Sequence, residues 1–173
     1  MLHEAIDGQV GEQPPPANKQ AWDPIDAPAS SNSESRQDMN GWLGVVAADH
    51  VRRGVELGIA QIGHGKRAPL ARMRAGDTLI YYSPVEQMGD AAPLREFTAF
   101  GVIADDDIWQ ADEGTFKPFR RRVNYLPLRP VPLAALRDRL HLTAGPNWGY
   151  QLRLGLVPLD GHDVEIIRQS MQP

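Results

Sequence analysis

From Trp42 onward the chain is a series of short apolar, β-branched and aromatic runs, each cut off within a few residues by glycine or proline. This punctuation limits the possible folds more than any other feature. Short strands broken by glycine, with helices at only a few connections, favour a compact mixed barrel over a parallel doubly wound sheet. The expected class is α+β.

The individual runs follow that pattern. WLGVVA (42–47) reads as a strand, and Asp49 is placed to cap a helix that carries Val51 and Val55 on one face and stops at Gly58. IAQIGHG (59–65) returns as a strand. APLARMRAGD (68–77) gives a short helical turn, and TLIYYS (78–83) has strand composition. EFTAFGVIADD (96–106) is a long strand in which Gly101 marks a bulge or a close backbone approach, and FKPFRRRVNYLPL (116–128) alternates as another. Pro132 opens a helix with Leu133, Leu136 and Leu140 buried. GYQLRLGLVPL (149–159) holds a strand or a bent pair of strands. A last helix, capped near Asp160, shows Val164, Ile167 and Met171 on one side.

Residues 1–39 differ in kind. Five prolines and four serines accompany few large apolar side chains, so burial cannot offset the entropy of ordering them, and a disordered tail ahead of one domain at 40–173 is expected. A segment docked through Trp22 and Ile25 is the alternative. Two basic residues face seven acidic ones in this tail, and the remainder carries 16 basic against 15 acidic. A near-neutral domain does not hold nucleic acid by charge alone, because non-specific affinity comes mainly from neutralised phosphates. The tail is a candidate protein-partner segment, and it is acidic enough to oppose nucleic-acid binding.

Several chemistries are disfavoured by inspection. With no cysteine, thiol nucleophiles, disulfides and thiolate metal sites are excluded. The five histidines (His3, His50, His64, His141 and His162) are scattered without ligand spacing, so no metal or cofactor is expected. No nucleophile elbow or phosphate-cradling GxxxxGK is present. A hydrolase built on Ser83 and His64, with Asp77 as orienting acid, is therefore a minor alternative. No apolar run reaches the ~20 residues of a membrane helix, and no secretory signal opens the chain, so an intracellular, cytoplasmic location is expected.

The segments WLGVVAADHV, QIGHGKRAPLARMRAGDTLIYYSP, FTAFGVI, PFRRRVNY and NWGYQLRLGLVPL, in this order, resemble the EVE-domain family of the PUA-like superfamily, related in fold to PUA, ASCH and YTH domains. The resemblance implies a twisted β pseudo-barrel with flanking helices. It further implies a non-catalytic module that binds DNA or RNA by taking a base, modified or not, into an aromatic-lined pocket.

The residues themselves support that chemistry without requiring it. Gly63 and Gly65 around His64 allow close backbone approach to a flat ligand, and Lys66 suits a phosphate; the same glycines would equally serve a tight turn. Of Tyr81 and Tyr82, which face opposite ways on a strand, Tyr82 is the expected stacking surface, with Ser83 beside the pocket. Asn147 and Trp148 offer an amide for a base edge and an indole for stacking, or a plug for the barrel end. Arg120, Arg121 and Arg153 are the expected phosphate rim with Lys66; ion pairs to Asp105, Asp106 and Asp107 are the alternative. His50 borders the pocket in the family pattern. A small-ligand or nucleotide sensor, or an interaction subunit, would use the same residues.

Overall fold

The computed structural model describes residues 40–173. The expected tail, with Trp22 and Ile25, lies outside the described residues. The elements run β1 (Gly41–Val45), α1 (Ala48–Leu57), β2 (Ile59–Ala60), α2 (Arg67–Ala71), β3 (Thr78–Ser83), β4 (Glu96–Ile103), β5 (Trp109–Gln110), β6 (Phe119–Tyr125), β7 (Val131–Pro132), α3 (Trp148–Gln151), β8 (Leu156–Leu159) and α4 (Gly161–Ser170), with short 3₁₀ turns between them. The strands form one mixed sheet in the order β2-β6-β4-β3-β1-β8, with β5 on β6 and β7 on β4. This is the α+β class read from the sequence. The sheet does not close, since its path ends on β2 and β8.

β1 lies between two partners from distant parts of the chain. It runs parallel to β3, with Trp42 opposite Leu79, and antiparallel to β8, with Trp42 opposite Pro158. The sheet is covered on both faces, which explains why β3 is a nearly continuous apolar run instead of an alternation. One core contains Leu43, Ile80, Tyr82, Phe97, Phe100, Val157, Ile167 and Met171; the other contains Trp42, Ile62, Leu70, Leu79, Tyr81, Ile103, Val123 and Leu156. Helices α1 and α2 contribute Val51 and Leu70 to the second core, and α4 contributes Ile167 to the first.

Gly101 is a close-approach position: a Cβ there would lie 2.5 Å from Val123 Cγ1 and 2.9 Å from the Asn124 carbonyl. The register shift itself falls between Tyr81 and Tyr82 on the partner strand.

Four local expectations are corrected. Asp49 does not cap α1, whose cap residue is Ala47 and makes no side-chain capping bond. The carbonyls of Val85 and Glu86 instead accept from the amides of Ala48 and Asp49, so a loop serves the orphan donors of the helix start. The 59–65 strand shrinks to Ile59–Ala60, because the residues after Ile62 turn sharply. Pro132 pairs with Glu96 as an edge strand, and Leu133–Ala135 is a 3₁₀ turn. Leu133, Leu136 and Leu140 are nonetheless all buried; the three-residue step from Leu133 to Leu136 suits 3₁₀ as well as α geometry. Finally, the 149–159 segment does hold one strand, Leu156–Leu159, but not a bent pair, since 149–154 is helical. The cap at Asp160 is as read: its side chain accepts from the Asp163 amide.

Candidate nucleic-acid interface

Two chain segments are hydrogen-bonded to the C-terminal end of β1. The amide of Val45 donates to the Gly155 carbonyl at 2.9 Å, which fixes the end of the 147–155 turn. The amide of Val46 donates to the Tyr82 carbonyl at 3.1 Å, which fixes the end of β3. Gly44, just before them, has no side chain, and a Cβ there would meet the Tyr81 ring at 2.9 Å and Ile62 Cδ1 at 3.4 Å. Ile62 leads directly into Gly63-His64-Gly65. Tyr82 and Trp148 pack with the first core, whereas Ile62, ahead of His64, packs in the second, so the side chains of His64, Tyr82 and Trp148 do not face one space.

The 63–65 loop is held in an uncommon backbone state. Gly63, His64 and Gly65 all have positive φ, at 60°, 60° and 77°. Any side chain at Gly65 would collide with Pro118, whose Cβ would be 2.6 Å away. The Gly65 carbonyl accepts from the Phe119 amide at 2.9 Å, locking the loop onto β6. His64 has a Cβ and still occupies the left-handed region, between two glycines that share it. Its side chain is exposed, as are those of Lys66 and Arg67, which follow at the start of α2. His50 is exposed on α1.

Tyr82 is corrected. It is 4% exposed and packs edge-on against Phe97, centroids 5.8 Å apart, so no base can stack on it. Burial pushes its hydroxyl pKa up, with Arg95 pulling the other way. Tyr81 is also core; its ring lies 6.5 Å from Tyr125, and burial pushes its pKa up to about 12. Both rings were needed because the sheet buries both of its faces. Ser83 is fully buried and shares a 2.7 Å hydrogen bond with Thr98 Oγ1. Asp77 accepts from the Asn40 and Arg74 amides and from Trp42 Nε1. Neither Ser83 nor Asp77 is available to a hydrolytic triad with His64.

The arginine run divides as strand alternation requires, but not into the expected rim. Arg121 is 2% exposed; its Nη1 donates to the Leu70 carbonyl at 2.8 Å and to that of Met73, and its Nη2 donates to the Asp105 carbonyl at 2.6 Å. It pins the turn after α2 to β6 and reaches no phosphate. Its Nε is buried without a partner, an accepted cost at this junction. Arg120 donates to Gln61 Oε1 at 3.0 Å and Glu113 Oε1 at 2.6 Å, and Arg53 also meets Glu113. The Arg120 hydrogen bond, aided by Arg53, holds the Glu113 carboxyl below its ordinary pKa. Arg122 pairs with Asp105 at 3.0 Å and lies over the Trp109 ring. The alternative of ion pairs with Asp105 and Asp106 describes this strand better.

Around the 147–155 turn the expected residues fare better. Asn147 has φ of 60° and starts α3; it is exposed. Trp148 is half-buried against the first core, with the Arg137 guanidinium 5.6 Å over its ring. A cleft of about 540 Å³ is lined by Asn147, Gly149, Tyr150, Gln151 and Arg153. Tyr150 is 67% exposed and lies under the Arg153 guanidinium at 5.7 Å; Leu154 is 69% exposed. Tyr150 was missed by sequence reasoning. Its four-residue spacing from Leu154 would have placed both on one helical face, but the segment read as strand.

Residues 40–170 match the model of the EVE domain. A UPF0310 protein of Renibacterium salmoninarum is 52% identical over 132 residues, covering 76% of this chain and 95% of that protein. One from Mesorhizobium japonicum is 42% identical, covering 75% and 90%. Among solved structures, a hypothetical protein from Leishmania major superposes with a TM-score of 0.53 at 12% identity, covering 78% of this chain and 95% of that one. The YTH domain of a Zygosaccharomyces rouxii protein, in complex with N6-methyladenosine RNA, superposes with a TM-score of 0.54 at 10% identity, covering 85% and 94%. The mixed sheet and its helices are thus of the PUA-like kind.

Proposed function

The chain belongs to the EVE-domain family, and from that premise we propose that it is a non-catalytic module that binds nucleic acid at the C-terminal end of β1 and takes a base, modified in its natural target, out of the stack. The observation that carries this reading is the presence of an exposed, left-handed His64 loop, held on β6 and followed by Lys66 and Arg67, together with an exposed Tyr150–Arg153 turn beside Asn147 that is tied to β1 through Gly155. The first supplies backbone and cations, the second an aromatic face and an amide. The use of this fold by a YTH domain bound to N6-methyladenosine RNA supports a base as the ligand.

The energetics suit a weak, base-dependent binder. Unstacking a base costs a few kcal/mol, least in single strands. Stacking on an aromatic ring returns about 1–3 kcal/mol per base, and the Asn147 amide can pair with a base edge. Lys66, Arg67 and Arg153 are left to meet phosphates, since Arg121 is consumed by the interior and Arg120 by Glu113. With so few cations the affinity should fall only gently with salt.

The test is a titration of fluorescent single-stranded DNA and RNA oligonucleotides, each with unmodified, methylated or hydroxymethylated bases, into the full chain. Preference for one modified base, lost on substitution of Tyr150 or Asn147, is expected. Equal and negligible affinity across the panel at low salt refutes the reading.

A further inference from the structure

The five histidines are scattered in sequence, yet the fold stacks two of them. His141 begins a 3₁₀ turn and His162 lies in the first turn of α4; their ring centroids are 4.0 Å apart with 12° between planes. Each ring has one nitrogen tied to an oxygen. His141 Nδ1 lies 2.6 Å from Asp160 Oδ2, and His162 Nε2 lies 3.0 Å from the Arg139 carbonyl. This is the arrangement by which metal-binding imidazoles are oriented: one N–H is committed to a carboxylate or carbonyl, and the other nitrogen presents its lone pair.

Asp163 supplies the third group. It is 2% exposed, and its two carboxylate oxygens each accept one amide, from His141 and Leu142, both at 2.8 Å. One acceptor position per oxygen is left over. Ligand atoms of His141, His162 and Asp163 all lie within 4.8 Å of one another. Among the described residues no lysine or arginine pairs with Asp160 or Asp163, and the ion-pair partner of Asp160 is His141 itself. The start of α4 adds partial positive charge beside them. A cleft of about 410 Å³, lined by His141, Gln151, Asp160 and Asp163 among others, gives access.

We infer that His141, His162 and Asp163 form a binding site for a divalent transition ion of the zinc class, with Asp160 positioning the His141 ring. Two imidazoles and a carboxylate suit zinc, copper or nickel, and are too rich in nitrogen for magnesium or calcium. The rings are stacked, so binding requires them to shift relative to one another, and both are exposed. Its cleft shares Gln151 with the one beside Tyr150, but none of the three ligand residues lines the latter, and the site does not rest on nucleic-acid binding.

The experiment is titration of the metal-stripped full chain with Zn²⁺ in competition with a chromophoric chelator at neutral pH. One ion per chain is expected. H141A and H162A should each weaken binding by more than about tenfold, and D160N by about tenfold, as loss of an orienting partner does. H3A should leave binding unchanged, and Mg²⁺ should not compete. Circular dichroism of H162A, an exposed position, shows whether the fold is kept; H162Q serves if it is not. Absence of stoichiometric zinc binding, or binding that H141A and H162A leave intact, overturns the assignment.

Discussion

The indole Nε1 of Trp42 donates to Oδ2 of Asp77 at 2.9 Å, joining the start of β1 to the turn that precedes β3. The same carboxylate accepts the Asn40 amide at 3.1 Å and the Arg74 amide at 2.9 Å, and it is 2% exposed. Three donors thus depend on one buried side chain. Asp77→Ala leaves the indole N–H without an acceptor, and the cost of orphaned buried donors, about 1–3 kcal/mol each, predicts a loss of about 3 kcal/mol or more. Urea unfolding followed by Trp fluorescence measures it. A loss below the error of that measurement would mean the turn is held by other contacts.

Arg121→Met should be more damaging than either neighbouring arginine substitution. It keeps much of the aliphatic volume but strips the donors from the carbonyls of Leu70, Met73 and Asp105. Removing one partner from a buried charged network costs about 3–5 kcal/mol. The midpoint of thermal unfolding should drop sharply, while the affinity of the remaining folded protein for oligonucleotides stays as it was. Wild-type stability with weakened binding would return Arg121 to the phosphate rim.

Tyr150→Ala and Trp148→Ala should separate binding from stability. Tyr150 is mostly exposed, so its loss should leave the unfolding midpoint nearly unchanged while reducing oligonucleotide affinity by about 1–3 kcal/mol, the worth of one stacked base. Trp148 packs on the first core and should lower stability as well. Fluorescence anisotropy and thermal melts on both variants decide between these roles.

The Glu113 carboxyl, held below its ordinary pKa by Arg120 and then Arg53, gives a pH signature. A depressed carboxylate contributes stability above its unfolded pKa and loses it as pH falls through the folded value. Wild type should therefore exceed Glu113→Gln in stability at neutral pH, and the gap should close once the pH drops below the ordinary carboxylate range. Denaturant midpoints of both proteins from neutral to strongly acidic pH test the sign. A gap that widened toward acid would contradict the pairing.

Much of the architecture was legible in the chain because it rests on local signals. The apolar runs of β1, β3, β4 and β6, the stop at Gly58 and the cap at Asp160 all lie where composition and turn chemistry place them. The site was less legible, for identifiable reasons. Strand alternation told Tyr81 from Tyr82 but not that the sheet would be covered on both faces, so one ring was assigned to a ligand when both belong to cores. It separated Arg121 from Arg120 and Arg122, yet the three carbonyls that draw Arg121 inward come from Leu70, Met73 and Asp105, distant in sequence. The helical turn at 148–154 escaped notice because Leu152, Leu154 and Leu156 alternate like a strand. The pairing of His141 with His162 depends on how β8 returns the chain, which no spacing rule encodes.

The placement of β1 has a consequence for biogenesis. β1 touches one partner, β3, that emerges from the ribosome soon after it and another, β8, that emerges much later. Until Leu156–Leu159 arrives, one hydrogen-bonding side of Gly41–Val45 has no mate. The nascent protein must carry that exposed border until β8 emerges, open to any passing extended peptide. Chaperone capture should therefore weigh most on molecules truncated shortly before Leu156, and least on those a few residues longer.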